Sequence, residues 1–322
     1  MARPAHKVHV VVVGSTNFDL VVRADRLPKE GENVMATGLK FFPGGKGGNQ
    51  AVAVRRLGAR ATFIGCVGED VFGEFLLRNL RTNGIESRWV KRTKSVSTGC
   101  AFIPVLPGGN NAIVVDVGAN LELTPRDIER ARGPIERADA LLTVLEMRLD
   151  TVEAALGLAR KAGKLTVLDA GPPRRFSEEL LKLAEIVSPN ESELEFISGE
   201  KVFDRASTEA AARRLVERGA ATVIVKMGRA GAMLVTRERA KLFPAFPVQA
   251  VDPTAAGDAF SAALTVELAR GSPMDDAIRF ANAAGALACT KLGAQPSMPT
   301  AKEVKRLVAG FTVSAKARLA RT

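Results

Sequence analysis

Two segments far apart in the chain combine small residues with polar side chains that could do chemistry. Residues 44–51 read Gly-Gly-Lys-Gly-Gly-Asn-Gln-Ala, so backbone amides can approach a ligand while Lys46 and Asn49 offer polar groups. The spacing matches neither a P-loop nor the dinucleotide-binding fingerprint. Taken alone, the segment fits a flexible turn before a helix over residues 51–57 as well as it fits a ligand loop.

The second segment, residues 252–260, reads Asp-Pro-Thr-Ala-Ala-Gly-Asp-Ala-Phe and opens an Ala-rich helical pattern. Small residues at 255–257 leave the first-turn amides unobstructed, which predicts an anion site at the positive end of the helix dipole. Asp258 lies in the same turn, where an acid often does no more than complement that dipole. An anion site beside a carboxylate also suits phosphoryl transfer to a hydroxyl, with the carboxylate as general base.

The rare residues exclude several classes of enzyme. The chain of 322 residues has two His, His6 and His9, both near its start, so a His-dependent triad or a His-rich zinc site is not expected. Its three Cys, at positions 66, 100 and 289, are widely separated and predict neither a zinc ribbon nor a disulfide framework. If the protein is an enzyme, its base is therefore a carboxylate or a lysine.

The charge balance raises the alternative of nucleic-acid binding. The formal net charge is +11, and residues 301–322 form a basic C-terminal tail. Tyr is absent and Trp89 is the one Trp, so no basic patch is interleaved with aromatic residues for base stacking. No apolar run is long enough for a membrane span, and no secretory signal is evident. We expect a cytoplasmic protein that binds neither nucleic acid nor membrane.

Short apolar runs alternate with helical patterns along most of the chain. Strands are predicted at residues 8–13, 61–66, 140–145, 165–168, 186–187 and 222–225, and capping patterns mark helices beginning near Thr124, Asp150 and Asn190. This alternation predicts a three-layer α/β/α, Rossmann-like fold with a mostly parallel sheet. Residues 17–44 and 95–116 alternate as strands without helices, which predicts a small inserted sheet within a single domain over 1–322.

The two segments together, in this order on an α/β pattern, resemble the signatures of the PfkB-type carbohydrate kinase family in its ribokinase-like form. Residues 14–19, 189–193 and 291–297 extend the resemblance, which runs from about Val10 to Pro299. It implies a phosphotransferase that uses ATP with Mg²⁺, is activated by K⁺, and phosphorylates the C5 hydroxyl of D-ribose. It also implies that the small sheet is a lid that pairs subunits into a homodimer.

The resemblance implies a role for each matching position. Asp258 is the expected general base, and the expected anion hole is formed by Ala255, Ala256 and Gly257. The sugar hydroxyls are expected at Asn17, Asp19, Gly45, Lys46, Asn49, Glu146 and Asp258. The nucleotide is expected at Asn190, Lys226, Gly228, Gly231, Gly257 and Asn282. Glu193 is expected to reach Mg²⁺ through water, and K⁺ is expected at Asp252, Thr254, Ala288, Lys291, Gly293 and Ser297.

The chain departs from the family pattern at four places. Pro253 replaces a Thr or Ser, Gly48 replaces an Ala, and Lys226 stands where Thr is common. The fourth departure is the segment 169–172, Asp-Ala-Gly-Pro, where Asn-Pro-Ala-Pro is frequent. We expect none of the four to touch the base or the anion hole.

Other functions remain open at this point. The same chemistry on 2-deoxyribose, a nucleoside or another sugar fits most of these residues, since 2-deoxyribose differs from ribose by one hydroxyl. A sugar or nucleotide sensor on the same fold is the non-enzymatic alternative, which the intact Gly-Asp turn at 257–258 disfavours.

Overall fold

The computed structural model describes residues 7–319, without the side chains of residues 312–319; residues 1–6, which include His6, and residues 320–322 lie outside it. The strands are β1 His9–Val13, β2 Asn17–Ala24, β3 Ala36–Gly44, β4 Arg60–Gly68, β5 Glu86–Thr93, β6 Cys100–Val105, β7 Val114–Asp116, β8 Ala140–Thr143, β9 Leu165–Asp169, β10 Ile186–Ser188, β11 Thr222–Lys226, β12 Ala232–Val235 and β13 Ala240–Phe243. The α-helices are α1 Lys46–Arg56, α2 Val71–Thr82, α3 Pro125–Arg130, α4 Arg132–Arg137, α5 Leu149–Lys161, α6 Glu178–Leu183, α7 Glu191–Ser198, α8 Arg205–Glu217, α9 Ala256–Ala269, α10 Met274–Ala288, α11 Ala294–Ser297 and α12 Ala301–Leu319.

The main sheet has nine strands in the order β13-β12-β11-β10-β9-β8-β1-β4-β5. Its strands are parallel from β11 to β5, and only β12 and β13 join in antiparallel register. After β1 the chain adds β4 and β5 on one side of β1, and it then adds β8 and the later strands on the other side. This reversal makes the gap between β1 and β8 the topological switch point, where α/β proteins bind ligands outside the carboxyl ends of the strands.

Helices cover both faces of the main sheet, as the alternation along β1 shows. Val10 and Val12 pack in one apolar core with residues of α1, α9 and α10. Val11 and Val13 point to the other face and pack in a second core with residues of α3 to α8. Inner strands such as β1, β8 and β9 are therefore buried on both faces, which explains why they read as continuous apolar runs. The predicted three-layer α/β/α fold is confirmed.

A separate four-stranded sheet has the order β3-β2-β6-β7 and comes from the two segments predicted to form it. The pairs β2–β3 and β6–β7 are antiparallel, whereas β2 and β6 run parallel. Several large apolar side chains on this sheet are exposed, among them Phe41, Phe102 and Val114. Its function as a lid and the single-domain boundaries stay predictions.

Most predicted helix signals are found in the structure. Thr124 and Asn190 form capping boxes with Asp127 and Glu193, as their spacing predicts. A helix does begin near Asp150, but Asp150 does not cap it, because α5 already begins at Leu149 with Arg148 as its N-cap. Asp150 instead lies in the first turn, where its carboxylate pairs with Arg148 at 2.6 Å. No helix of the described chain has the length and apolarity that a membrane span requires.

Candidate active site

The carboxyl ends of β1, β8, β9, β10 and β11 bring the candidate site residues to one edge of the main sheet. The turn after β1 reaches across the switch point, where Ser15 Oγ donates a hydrogen bond to Glu146 beyond β8. Asp169 is the last residue of β9, and Lys226 is the last residue of β11. Residues distant in sequence therefore converge on one point outside the sheet.

The glycine-rich segment 44–51 differs from the expected flexible turn, because α1 already begins at Lys46. Its glycines allow the protein's own backbone to come close. A Cβ atom on Gly47 would lie 2.7 Å from Gly14 Cα, and one on Gly45, whose φ is 79°, would lie 2.6 Å from Thr16 Cα. The first turn of α1 can thus pack directly on the turn after β1. The Lys46 amide donates to Glu146 Oε2 at 3.1 Å, so it serves the protein and not a ligand.

Asp258 is buried where the first turns of α1 and α9 meet. Asn49 Nδ2 donates to its Oδ2 at 2.9 Å, and Gln50 Nε2 donates to its Oδ1 at 3.4 Å. Lys46 Nζ lies 4.0 Å from Oδ1 of the same carboxylate. The three donors share one face of α1 because residues three and four positions apart are neighbours on a helix. The glycine-rich segment and the candidate base therefore meet, as the sequence predicts.

Burial sets the protonation of this group. Removal from water raises the pKa of Asp258 to about 7, although the Lys46 ammonium opposes the rise. Burial alone would lower the pKa of Lys46, but the negative charges of Asp258, Asp169, Glu193 and Glu146 outweigh it and hold that pKa above its ordinary value. A carboxyl with a pKa near 7 can both accept a proton and release it at neutral pH.

The N-terminus of α9 offers unpaired donors beside Asp258. Ala255 precedes the helix with φ of 61°, the one positive φ at a non-glycine residue in the described chain. Among the described residues, no atom accepts a hydrogen bond from the backbone amide of Ala255, Gly257 or Asp258. Ala256 differs from the prediction, since its amide donates to the Pro253 carbonyl at 3.1 Å. The amides of Ala255, Gly257 and Asp258 are therefore available to an anion.

Several residues expected around the sugar are buried polar groups on or near the turn after β1. Asn17 is buried at the start of β2, and its Oδ1 accepts a hydrogen bond from Asn120 Nδ2 at 2.8 Å. Burial, with the nearby charge of Glu146, raises the pKa of Asp19 to about 7. Asn49 Oδ1 is buried without a partner in the described chain. A hydroxyl-rich ligand would supply the hydrogen-bond donor that Asn49 Oδ1 lacks.

A cavity of about 550 Å³ extends from Asp258 toward α7. The cavity is lined by Lys46, by the first turn of α9, and by the residues Asn190, Glu191, Ser192, Glu193, Lys226 and Gly228. Glu193 is buried and accepts the Asn190 backbone amide at 2.7 Å while Asn190 Oδ1 accepts the Glu193 amide at 2.8 Å. This reciprocal capping fixes the Glu193 carboxylate at the wall of the cavity.

Two residues expected around the nucleotide are engaged elsewhere. Asn282 donates from Nδ2 to the Phe243 carbonyl at 3.0 Å, which ties α10 to the end of β13. Gly231 has φ of 106°, and a Cβ atom there would lie 2.0 Å from the Phe243 carbonyl oxygen. Both residues therefore shape the loop after β13, and the structure does not include them in the wall of the cavity.

The residues expected around K⁺ lie in two loops that Asp252 holds together and at the ends of α10 and α11. Its Oδ1 accepts the Thr254 hydroxyl at 2.6 Å, and its Oδ2 accepts the Gly293 amide at 2.8 Å. Ser297, the last residue of α11, is buried, and its hydroxyl donates to the Ala294 carbonyl at 2.7 Å. Lys291 is exposed and pairs with Glu303 at 3.2 Å, and Ala288 ends α10. The carboxylate, hydroxyl and carbonyl groups in these loops are hard oxygen donors, which suit an alkali cation.

The expectation that no departure from the family pattern touches the base or the anion hole was wrong. Lys226 Nζ lies 2.9 Å from Asp169 Oδ1, so two of the departures form one buried ion pair. Gln50 Nε2 donates both to Asp169 Oδ2 at 3.0 Å and to Asp258. The Pro253 carbonyl accepts the amide of Ala256, one of the expected anion-hole residues, and so withdraws it from a ligand.

Sequence reasoning also missed three residues that support the site. Ser261 donates from Oγ to Asp169 Oδ2 at 2.7 Å, Gln50 bridges Asp169 and Asp258, and Asn120 orients Asn17. Gln50 lies in the glycine-rich segment and could have been found by its helical spacing. Asn120 and Ser261 carry no local signal, because their roles depend on contacts with distant parts of the chain.

Comparison with known proteins identifies the family. The model of the pfkB family of carbohydrate kinases matches residues 7–301. The chain belongs to the pfkB family. Among pfkB relatives, the ribokinase of Haemophilus influenzae is 37% identical over 91% of this chain and 96% of its own length. A deoxyribokinase of Salmonella typhi is 35% identical over 91% of this chain and 96% of its own length.

Solved structures of the pfkB kinases share the fold. The structure of Arabidopsis thaliana ribokinase complexed with ribose and ATP superimposes with a TM-score of 0.87 at 32% identity, covering 94% of this chain and 98% of that chain. The ribokinase of Thermotoga maritima gives a TM-score of 0.85 at 36% identity, covering 94% of this chain and 99% of that one. The nine-stranded sheet and the small sheet are thus those of a ribokinase-like carbohydrate kinase.

Proposed function

We propose that this pfkB kinase transfers the γ-phosphoryl group of ATP to the C5 hydroxyl of D-ribose. The observation that carries the proposal is the buried Asp258 carboxylate beside three amides without acceptors at the start of α9. A base for the hydroxyl proton and donors for the phosphoryl charge are then adjacent, as this reaction requires. The similarity to ribokinases, one of them solved with ribose and ATP, supports this choice of substrates.

The chain's own residues account for the steps of the transfer. The C5 oxygen forms a bond to the γ-phosphorus while the bond from that phosphorus to the β–γ bridging oxygen breaks. Asp258 accepts the hydroxyl proton, and Asn49 and Gln50 hold its carboxylate in place. The amides of Ala255, Gly257 and Asp258 stabilise the charge on the phosphoryl oxygens, and ADP leaves with the bridging oxygen.

The donor sets fit both cations of the proposal. Mg²⁺ in nucleotide sites is held mainly by phosphates, water and one or two carboxylates, so the single buried carboxylate of Glu193 at the cavity wall suits it. When bound, Mg²⁺ supplies positive charge to the β- and γ-phosphates. K⁺ would be held by oxygens of the two loops that Asp252 joins. These loops lead into α9, so a cation there would stabilise the turn that presents the anion hole.

The small sheet supports the proposal of a homodimer. Phe102 and Val114 are direct partners across β6 and β7, so their side chains share a face, and they are 52% and 68% exposed. An apolar strand face of this kind is suited to cover by a second copy of the chain. A variant with Phe102→Glu and Val114→Glu should sediment at half the mass of the wild type. We place the enzyme in the cytoplasm as part of the same proposal.

The decisive experiment measures ADP release by the wild type with ribose, 2-deoxyribose, fructose and adenosine as acceptors. We expect the highest kcat/KM with ribose, and phosphorus–carbon coupling at C5 in the NMR spectrum of the product. A higher kcat/KM with 2-deoxyribose would replace the proposed acceptor but keep the reaction. No ATP turnover with any of the four would remove the proposed activity.

A further inference from the structure

Asp169 and Lys226 form an ion pair in the interior, beside the candidate active site. Asp169 is fully buried, and the Lys226 side chain is 11% exposed. Besides Lys226, Asp169 accepts hydrogen bonds from Gln50 and from Ser261. Burial would raise the pKa of Asp169, but Lys226 and then Lys46 outweigh it and hold that pKa below its ordinary value. The pair is therefore charged and each carboxylate oxygen has a partner.

The ammonium group of Lys226 also faces the anion hole. Lys226 lines the same cavity as Gly257 and Asp258. Its Nζ lies 3.8 Å from the position that a Cβ atom on Gly257 would take, which places it against the first turn of α9. Lys46 Nζ reaches Asp258 from α1. Two lysines from different elements thus approach the place where the phosphoryl group passes.

A charged pair at this position needs a reason, because burying two charges costs more free energy than burying a neutral pair of similar size. Asp169 without Lys226 would add a second negative charge near Asp258 and repel a triphosphate. Lys226 without Asp169 would lose the partner that fixes its long side chain. The pair is therefore explained if the Lys226 ammonium binds a ligand and the Asp169 carboxylate holds that ammonium in position.

We propose that Lys226 contacts the γ-phosphoryl group of ATP at the N-terminus of α9, and that Asp169 is the positioning residue that holds it there. Through Gln50, Asp169 also joins the network that orients Asp258. The inference rests on the proposed kinase function and adds a lysine that helps to stabilise the charge on the transferred group.

The test compares Lys226→Met, Asp169→Asn and the double variant that combines them. For each, we would measure kcat with ribose, the melting temperature, and the affinities for ADP and for a non-hydrolysable ATP analogue by calorimetry. Lys226→Met should lower kcat about 10²-fold, as loss of one oxyanion donor does, and weaken the analogue about 10-fold more than ADP. Asp169→Asn should also weaken the analogue more than ADP, but by a smaller factor than Lys226→Met does. A purely structural role of Asp169 would weaken both equally.

The double variant distinguishes a direct contact of Lys226 with the γ-phosphoryl group from mere neutralisation of the Asp169 charge. Because it removes both charges, it should melt closer to the wild type than Lys226→Met does, yet keep the low kcat and the altered ratio of affinities. A double variant whose kcat returns to within twofold of the wild type would overturn the proposal, since Lys226 would then only neutralise Asp169. Equal weakening of ADP and analogue would overturn the assignment to the γ-phosphoryl group.

Two controls complete the design. Lys201 is an exposed lysine in an ion pair with Glu195, so Lys201→Met should leave kcat and both affinities unchanged. The calorimetry needs no sugar, so its outcome is independent of the acceptor. If the wild type prefers another acceptor, the proposed substrate fails while the comparison of affinities still decides the role of Lys226.

Discussion

Asn49 and Asp258 are 209 positions apart in the chain and joined by a 2.9 Å hydrogen bond. The contact exists because the first turns of α1 and α9 meet outside the switch point of the main sheet. It connects the glycine-rich segment, which lies against the turn after β1, with α9, whose first turn is the proposed anion hole. The candidate base therefore depends on two elements whose relative position the whole sheet fixes.

Replacement of Asp258 by Asn should lower kcat about 10³–10⁴-fold, because the variant cannot accept the hydroxyl proton. The amide oxygen of Asn can still accept the hydrogen bond from Asn49, so ATP and ribose should bind with affinities close to those of the wild type. Steady-state kinetics and calorimetry check both expectations. Asp150→Asn, at an exposed carboxylate in α5, serves as the control, and near-normal turnover of Asp258→Asn would exclude it as the base.

The rate should depend on pH with an acidic limb near pH 7. The pKa of Asp258 and that of Asp19 are both raised to about 7, so both groups bind a proton as the pH falls through this value. A protonated Asp258 cannot act as base, and a protonated Asp19 accepts fewer hydrogen bonds from the sugar. Below pH 7, log kcat/KM for ribose should therefore fall with a slope approaching two.

Two variants dissect this limb. Asp19→Asn should reduce the slope to one, because a single titrating group remains. Lys46→Met should move the limb to higher pH, because the Lys46 ammonium opposes the rise of the Asp258 pKa. A limb that stays at the same pH in Lys46→Met would contradict the electrostatic account.

The pair of glycines at 47 and 48 predicts a difference in stability between two similar variants. A Cβ atom on Gly47 would lie 2.7 Å from Gly14 Cα, which is backbone and cannot move aside. Gly47→Ala should therefore lower the free energy of unfolding by about 1–3 kcal/mol. On Gly48 the nearest atom would be Thr16 Oγ1 at 3.0 Å, a side-chain atom that can rotate. Gly48→Ala should stay within about 1 kcal/mol of the wild type, since Ala also favours the helix. Urea denaturation distinguishes the two, and equal stabilities would contradict the close-packing account.

Local signals predicted much of this structure. Asp258 is in the first turn of a helix, as the small residues before it predict, and Thr124 and Asn190 cap helices in the predicted way. The beginning of α1 was not predicted, because glycine disfavours helices and only the close approach to Gly14 explains Gly47. The ion pair of Asp169 and Lys226 was also not predicted. These residues end β9 and β11, which are separated in the sheet by β10, so no local sequence pattern links them.

The loops that Asp252 joins predict a selective effect of K⁺ on the rate. Asp252 binds Thr254 and Gly293 through different carboxylate oxygens, and its loop leads directly into α9. A cation held by these loops would stabilise the turn at Ala255, so kcat in KCl should exceed kcat in NaCl at equal ionic strength. Asp252→Asn should abolish this difference, whereas Asp275→Asn, which disrupts ion pairs with Arg239 and Lys241 outside the site, should preserve it. Equal rates of the wild type in the two salts would show that these loops do not form a K⁺ site.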